Sequence, residues 1–429
     1  MSDTGDRRNR FAIIGAGPSG LAVARAFKHA GVQFDVLERH DGIGGIWDFS
    51  NPRTPMYDTA HFISSRTLSA FDGYPMPAHY PDYPSWREIL AYVRGFAEAY
   101  GLGEHVETET HVTRAAPDEG GGWQVVLATG EVRRYAGIVS AVGHDWLPND
   151  TTYPGDFTGE AYHSLTYRLP SEFSGKRVLI VGGGNSGCDI ASDAATHAER
   201  AFISLRRGYH VLPKHLFGRP TDVFFRSGPQ PHARIAQPIL SLLLRLVVGD
   251  LTRYGLKAPD HKPLESHPIV NSQLLHHLAH GNITAKVDVA ALEGHQVRFV
   301  DGSTEEVDLI VYATGYRREI PFLAETLGRS GTSPGLWAHA LVPGHPTLFV
   351  AGHFDSDGGA YPLFCKQAEL FAALARNASA RDRLAERIRT APPDLTGGIR
   401  HIDSARHDIH VNTEAYNKFL LRLVREARG

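Results

Sequence analysis

Short apolar runs recur along the chain, each closed by a glycine loop or turn and followed by a helical pattern. Arg10 to Ile14 is one such run; it enters Gly15-Ala-Gly-Pro-Ser-Gly20, and Leu21 to His29 then carries the spacing of a helix. Phe34 to Leu37 reads as the next strand and ends at Glu38. The same order returns with Arg177 to Val181, the loop Gly182-Gly-Gly-Asn-Ser-Gly187, a helical stretch through Asp189-Ile-Ala191, and a strand from Ala201 to Leu205. A third element, Trp86 to Tyr100, places Ile89, Leu90, Val93 and Phe96 on one helical face.

An internal repeat runs through this pattern. Residues 123–143 align without gaps onto 295–315, an offset of 172 (295 minus 123), and the two glycine loops stand 167 apart (182 minus 15). One architectural plan is therefore used twice. Each copy reads as a meander with its turn at Thr129-Gly130 or Asp301-Gly302, then a buried strand ending in Ala141-Val-Gly143 or Ala313-Thr-Gly315. Two doubly wound α/β units follow. Residues of about 209–280 interrupt the second; within them Ile239 to Val248 is apolar, but it is short and contains Arg245, which argues for a buried or interfacial helix over a membrane span. The amphipathic stretch Tyr416 to Arg425 reads as a packing helix.

The loops carry chemistry. In Gly15-x-Gly17-x-x-Gly20 the glycines allow a tight turn, close approach of backbone to a pyrophosphate, and helix–strand packing with phosphate at the helix N-terminus. Glu38, 23 residues after Gly15, suits a carboxylate accepting hydrogen bonds from a ribose. The second loop has no acid at that count. Arg206 and Arg207 stand there, and guanidinium groups recognise the 2′-phosphate that a carboxylate would repel.

Composition narrows the class. The 429 residues, 42% hydrophobic and 21% charged, are too many for one core and suit a globular protein of two or three domains. A net charge of −3 and a pI near 6.8 leave no footprint for nucleic acid. Met1 to Arg10 has no apolar region, so a cytoplasmic protein is expected. Cys188 and Cys365 alone make no disulfide framework and no Cys-x-x-Cys, and the 24 histidines are scattered without a ligand set, so no metal site is expected.

Between the loops lies Phe157-x-Gly159-x-x-x-His163-x-x-x-Tyr167, where Gly159 would permit close packing and His163 and Tyr167 could reach both sides of a seam. This spacing between two glycine loops resembles the fingerprint of class B flavoprotein monooxygenases of the flavin-containing monooxygenase family. The likeness covers most of the chain. Gly44-Gly45-Ile46-Trp47 resembles the segment that lies along the flavin, and Ala313-Thr-Gly315-Tyr316 a second family motif. Tyr167 stands where Baeyer–Villiger relatives carry Trp, which points to the heteroatom-oxygenating branch. The phrase Gly249 to Leu256 resembles the plant YUCCA branch and hints at a 2-oxo acid.

The resemblance implies a discontinuous FAD-binding domain, residues 1–168 and 311–429, with an NADPH-binding domain of residues 169–310 inserted in it. FAD would then meet Gly15, Gly17, Pro18, Ser19, Gly20, Glu38 and Arg39, and further along Gly45, Trp47, Val112, Gly315 and Gln367. NADPH would meet Gly182, Gly184, Asn185, Ser186, Arg206 and Arg207. The implied reaction is NADPH- and O2-dependent oxygenation of a small sulfide or amine through a flavin C4a-peroxide, with backbone groups near Gly352-His353 and the Gly358-Gly359 turn at the flavin's polar edge. The chain departs from the family at the active-site segment Tyr57 to Pro77, where Ile63 replaces Asn and Arg66 replaces Lys. Ser65 and Arg66 are the remaining polar candidates beside Ile63. An amide donor has become a hydrocarbon, which favours an NADPH oxidase releasing hydrogen peroxide as the rival; a non-catalytic NADPH sensor is a more distant one. The expected partners are a small substrate and O2, with a homodimer possible.

The arginine pair generates a first prediction. Arg206→Ala should raise the Michaelis constant for NADPH far more than that for NADH, changing discrimination by about one to two orders of magnitude if a charge-assisted contact of about 1.5 to 3 kcal/mol is lost. Equal effects on both cofactors would show that this arginine does not read the phosphate.

Overall fold

A computed structural model describes residues 5–226, 233–266, 268–327, 335–388, 392–402 and 407–429; the first four residues of the N-terminal reading and residues 227–232 and 267 of the insert lie outside these. The apolar runs became the central strands. Asp6–Ile14 pairs in parallel with Phe34–Leu37 on one side and Val132–Ser140 on the other, and its last four residues, Phe11 to Ile14, are buried. The seven-stranded sheet runs Val106–Glu107, Phe34–Leu37, Asp6–Ile14, Val132–Ser140, Trp123–Leu127, Val112–Pro117, with Leu348–Val350 joining on Val132–Ser140. That last pairing brings the distant 311–429 part back to the first sheet.

The second sheet has five parallel strands in the order Ile283–Lys286, Arg200–Ser204, Arg177–Val181, Leu309–Tyr312, Glu160–His163. Glu160–His163 thus pairs with the second sheet although it precedes residue 169, and Leu309–Tyr312 runs past residue 310. Gly159 permits the close approach expected of it: a Cβ there would lie 2.6 Å from the Asp308 carbonyl oxygen.

The two copies of the repeat share a meander but join their sheets differently. In the first, Val132–Ser140 is one nine-residue strand that serves both the meander and the parallel sheet. In the second, Thr304–Glu306 and Leu309–Tyr312 are separate, and the meander Val289–Gly294, Gln296–Phe299, Thr304–Glu306 adds Gly155–Phe157 to make its own four-stranded sheet. At the break, Asp308 accepts from the Arg177 backbone N–H and from its guanidinium, both at 2.9 Å, which holds the Asp308 carboxyl down at about 2. Both turns have the glycine in the left-handed region, Gly130 at φ +86° and Gly302 at +84°.

Trp86–Ala99 begins with a capping box, Ser85 Oγ facing the Glu88 N–H while the Ser85 N–H donates to Glu88 Oε2 at 2.7 Å. It buries Ile89, Tyr92, Val93 and Phe96; Leu90 instead lies against Gly44, where a Cβ would come within 2.5 Å of it. The last helix, Thr413–Arg428, is longer than the sequence suggested because Asn412 caps it, and it packs Tyr416, Leu420 and Leu423 against the helix Tyr361–Arg376. Among the described residues no helix is long and apolar enough to cross a membrane.

The two sheets are tied at one helix, Asn185–His197. Its Asp189 accepts from Tyr57 Oη at 3.0 Å and from Asn271 Nδ2 at 2.6 Å; its Asp193 accepts from Thr59 Oγ1 at 2.6 Å and from Tyr167 Oη at 2.9 Å. Tyr167 is fully buried and stacks on Phe173, ring centroids 4.9 Å apart. His163 takes a different role from Tyr167. Its Nε2 donates to the Gly315 carbonyl at 3.1 Å and its Nδ1 accepts from Leu165 N–H at 3.0 Å, so it holds the return connection after the second sheet.

Burial raises the pKa of both Asp189 and Asp193 above the usual carboxylate value. A carboxyl raised on folding favours the folded chain in acid, and that contribution is lost as pH rises through the folded value. Asp193→Asn removes the titration and keeps one acceptor. The melting temperature of the variant minus that of the parent should therefore increase as pH is raised from about 4 towards neutrality; a difference that is flat or falls with pH would contradict the assignment.

Candidate functional site

Each glycine loop is shaped by the same close approaches. At Gly15, φ +110°, a Cβ would sit 2.6 Å from the Ala141 carbonyl oxygen, and at Gly182, φ +120°, a Cβ would sit 2.3 Å from that of Ala313. A Cβ at Gly20 would be 2.0 Å from the Gly15 carbonyl, and one at Gly187 would be 2.1 Å from the Gly182 carbonyl. These glycines are required by sterics alone. The repeated Ala-x-Gly endings thus return the chain to the mouth of each loop, as the sequence repeat predicts.

The helix after each loop has an open N-terminus. Pro18–Ala30 starts from Gly17 and Asn185–His197 from Gly184, both extended, with no side-chain cap and no acid in the first turn. Free N–H groups and the positive end of the helix dipole fit a phosphate. Pro18 fits the first helical position, where no N–H is needed, and Ser19 lies within contact of Gly352. Gly17 faces Gly45: a Cβ on Gly45 would come 2.8 Å from the Gly17 Cα.

Glu38 is buried at the end of its strand. Its carboxylate accepts from Ala16 N–H at 2.7 Å and from His40 N–H at 2.9 Å, which braces the first loop and leaves lone pairs for a ribose. Arg39 stacks over Trp146 at 4.7 Å, and burial, then Arg53, lowers its pKa. Val112 is buried in the cluster that holds Ile14 and Leu37. Trp47 packs edge-on to Phe62 at 5.1 Å. Gly315, φ +82°, carries the carbonyl that His163 and Asn149 N–H bind. Gln367 is fully enclosed and its amide is engaged: Oε1 accepts from Gly352 N–H at 2.8 Å and Nε2 binds Tyr416 Oη at 2.8 Å, so it holds the Gly352 turn.

In the second unit Asn185 Oδ1 accepts from Val270 N–H at 2.8 Å, which ties the loop to the insert, while Ser186 is exposed. Arg206 is exposed. Arg207 lies 3.5 Å from Ser266 Oγ and over Tyr209. Lys257 donates to the Arg206 carbonyl at 3.2 Å and adds a cation to this mouth that sequence order could not place there.

The three candidate catalytic residues lie on one loop with different surroundings. Ile63 is 41% exposed, whereas its neighbour Phe62 turns inward. Ser65 is fully buried; its N–H donates to Asp222 at 2.7 Å, and its Oγ has no partner among the described residues. Arg66 is half-buried, with Nη1 3.5 Å from the Pro77 carbonyl and Nε without a partner among the described residues. The loop packs on the Gly358-Gly359 turn, where a Cβ at Gly359 would meet the Leu68 carbonyl at 2.1 Å.

A polar cluster beside this region escaped the sequence reading. His144 Nε2 binds Asp355 Oδ1 at 3.2 Å, Arg318 Nη2 binds Asp355 Oδ2 at 2.8 Å, and the His353 ring stands 5.8 Å from that of His144. Burial lowers the His144 pKa, but Asp145 and Asp355 raise it further, so it ends above its ordinary value. Burial, then the neighbouring His144 and Arg318, pushes His353 down to about 3. Two adjacent imidazoles are thus pushed in opposite directions, His144 towards its protonated form and His353 towards its neutral form. Each directly follows a glycine at a strand end, Gly143 or Gly352, and that position was the available signal. His40, Asp41 and Asp48 also converge, but Arg94 Nη2 already pairs with Asp48 at 2.7 Å.

Comparison with known proteins gives one family. The flavin-binding monooxygenase-like family matches residues 8–376. The chain is 32% identical over 390 residues to dimethylaniline monooxygenase [N-oxide-forming] 2 of Rattus norvegicus, covering 84% of this chain and 72% of that protein. It is 33% identical over 337 residues to indole-3-pyruvate monooxygenase YUCCA1 of Oryza sativa subsp. japonica, covering 76% and 80%. In fold it is similar to ε-caprolactone-bound cyclohexanone monooxygenase, with a TM-score of 0.75, 18% identity and 98% of each chain covered.

Because Glu38 braces the first loop and keeps lone pairs beside it, Glu38→Ala should lower flavin content measurably, with a charge-assisted contact of about 1.5 to 3 kcal/mol lost. Visible absorbance per chain after purification reads this. Unchanged flavin content would remove Glu38 from the site.

Proposed function

The chain belongs to the flavin-binding monooxygenase-like family, and from that premise we propose that it oxygenates a small, soft nucleophile such as a sulfide or amine at the expense of NADPH and O2. It is a flavin-dependent oxidoreductase that uses FAD and NADPH. The observation that carries the reading is the pair of matched glycine cradles, each with an open helix N-terminus, held in one relation through Asp189 and Asp193.

We assign FAD to the first cradle, with Gly15, Gly17, Ser19, Gly20 and Glu38 at its pyrophosphate and ribose, and NADPH to the second, with Gly182, Gly184 and the Arg206–Arg207 mouth. Bound FAD would accept hydride from NADPH and activate O2. The chain's own part is to position both cofactors and keep water out. The helix Tyr361–Arg376, beginning just after the Gly358-Gly359 turn, offers a positive N-terminal end to developing negative charge. His144, fixed by Asp355 and shifted towards its protonated form, can hold a proton there, while His353 beside it stays neutral.

Tyr167 at the last motif position and the N-oxide-forming relative support heteroatom oxygenation. The similarity to an indole-3-pyruvate monooxygenase, together with Gly249 to Leu256, favours a 2-oxo acid as the second reading. A panel of thioethers, tertiary amines and 2-oxo acids, scored by product formed per NADPH, separates them: oxygenated sulfide or amine supports the first, decarboxylated product the second. A cytoplasmic location is part of this proposal.

Ile63 decides how well the cycle is coupled. It offers apolar contact where an amide would offer a donor, and a lost hydrogen bond of about 1 kcal/mol changes a rate several-fold. The parent should release a measurable share of its reducing equivalents as hydrogen peroxide, and Ile63→Asn should reduce that share. A tightly coupled parent that the substitution makes leakier would show instead that Ile63 is an adapted wall.

A further inference from the structure

The insert does more than extend the second unit. Its segment Lys214–Arg226 lies against two separated stretches of the first unit. At one end the Tyr83 hydroxyl donates to the Lys214 carbonyl, the Lys214 ammonium sits 5.2 Å over the Tyr83 ring, and His215 Nε2 binds Asp82 Oδ2 at 3.1 Å. At the other end Arg226 Nη2 stands 3.7 Å from Asp357 Oδ1 and lies against Gly358, where a Cβ would fall 2.4 Å from that same nitrogen. Between the ends, at the start of the short helix Thr221–Arg226, Asp222 uses Oδ1 to accept from Val223 N–H at 2.8 Å and Oδ2 to accept from the backbone N–H of Ser65 at 2.7 Å.

We propose that Lys214–Arg226 is a clasp that fixes the Ile63–Arg66 loop, with Asp222 as the positioning residue that holds the loop by its Ser65 amide. The loop is bound through its backbone, so the contact is indifferent to which side chains the loop carries and acts on where they stand. Ser65 is fully buried and its amide meets a carboxylate whose other oxygen accepts from the next residue of its own helix, which fixes the acceptor's orientation. The anchors lie on both flanks of the loop: Asp82 and Tyr83 precede the capped helix Trp86–Ala99, and Asp357 and Gly358 precede the helix Tyr361–Arg376. Both helices belong to the core of the first unit, so the insert is braced against fixed structure and the loop is held between them. The effect on oxygenation rests on the proposed function, since only that reading places the loop at the reacting centre. The clasp itself stands on the contacts alone.

The test compares FAD-loaded parent, Asp222→Asn and Asp222→Ala by hydrogen–deuterium exchange of the peptide spanning 62–68 and by hydrogen peroxide released per NADPH consumed. Asp222→Ala should accelerate exchange at Ser65 roughly ten-fold or more, Asp222→Asn less because one acceptor oxygen remains, and the peroxide share should rise in the same order. A purely structural insert would lower the melting temperature and leave the peroxide share unmoved. Unchanged exchange in both variants overturns the clasp. Accelerated exchange with an unchanged peroxide share keeps the clasp and overturns the placement of this loop at the reacting centre. If Asp222→Ala does not fold, Tyr83→Phe and Arg226→Ala, which release one end each, should speed exchange of the same peptide, and their failure to do so overturns the proposal.

Discussion

Two carboxylates one turn apart on a single helix hold this molecule in its working shape. Asp189 and Asp193 project from Asn185–His197, the helix that opens at the second glycine loop, and they receive hydroxyls from Tyr57, Thr59 and Tyr167. Tyr57 and Thr59 lead directly into the Ile63–Arg66 loop. One helix therefore starts at the second glycine loop and, along its side, anchors the stretch that leads into the Ile63–Arg66 loop. Burying carboxylates is unfavourable unless they are hydrogen-bonded, and here each accepts two bonds, one of them from Tyr57 or Thr59, so the docked arrangement supplies part of what satisfies them.

The repeat gives the two units matching glycine loops and open helix N-termini. Each unit carries the same strand, loop and helix, and each return strand ends in Ala-x-Gly pressed against the first glycine of its loop. What differs is the coupling of meander to sheet. A continuous strand in the first unit gives a single seven-stranded sheet, whereas the break at Val307-Asp308, pinned by Arg177, lets the second meander turn away as its own sheet. The insert then occupies the side of the second unit that faces the first, which puts Asp222, Lys214 and Arg226 on the first unit's loop and turn.

Much of this was legible in the sequence because it depends on local sterics. Glycines at fixed spacing, an acid or an arginine pair at a strand end, and capped amphipathic helices declare themselves by residue type and count. Tyr167 was also legible as a crossing residue. The contacts that depend on chain segments meeting from far apart were not: nothing in the sequence ties Asp222 to Ser65 or Asp355 to His144, separated by 157 and 211 residues. Strand membership near the junction was likewise set by pairing, so Glu160–His163 joined the second sheet although it falls within the residues 1–168 that the sequence assigns to the first domain. Gln367 shows a further limit, since its place in a motif gave no sign that Gly352 and Tyr416 would take up its amide.

The central claim is that one chain holds two nucleotide cofactors in a fixed relation that permits electrons to pass between them. The most direct measurement mixes the purified protein with NADPH in the absence of oxygen and follows the visible absorbance of the flavin. The account predicts a yellow protein that bleaches with one equivalent of NADPH per chain and regains its colour when oxygen is admitted. A colourless protein that takes up no FAD, or a yellow one that NADPH leaves unchanged, would contradict it.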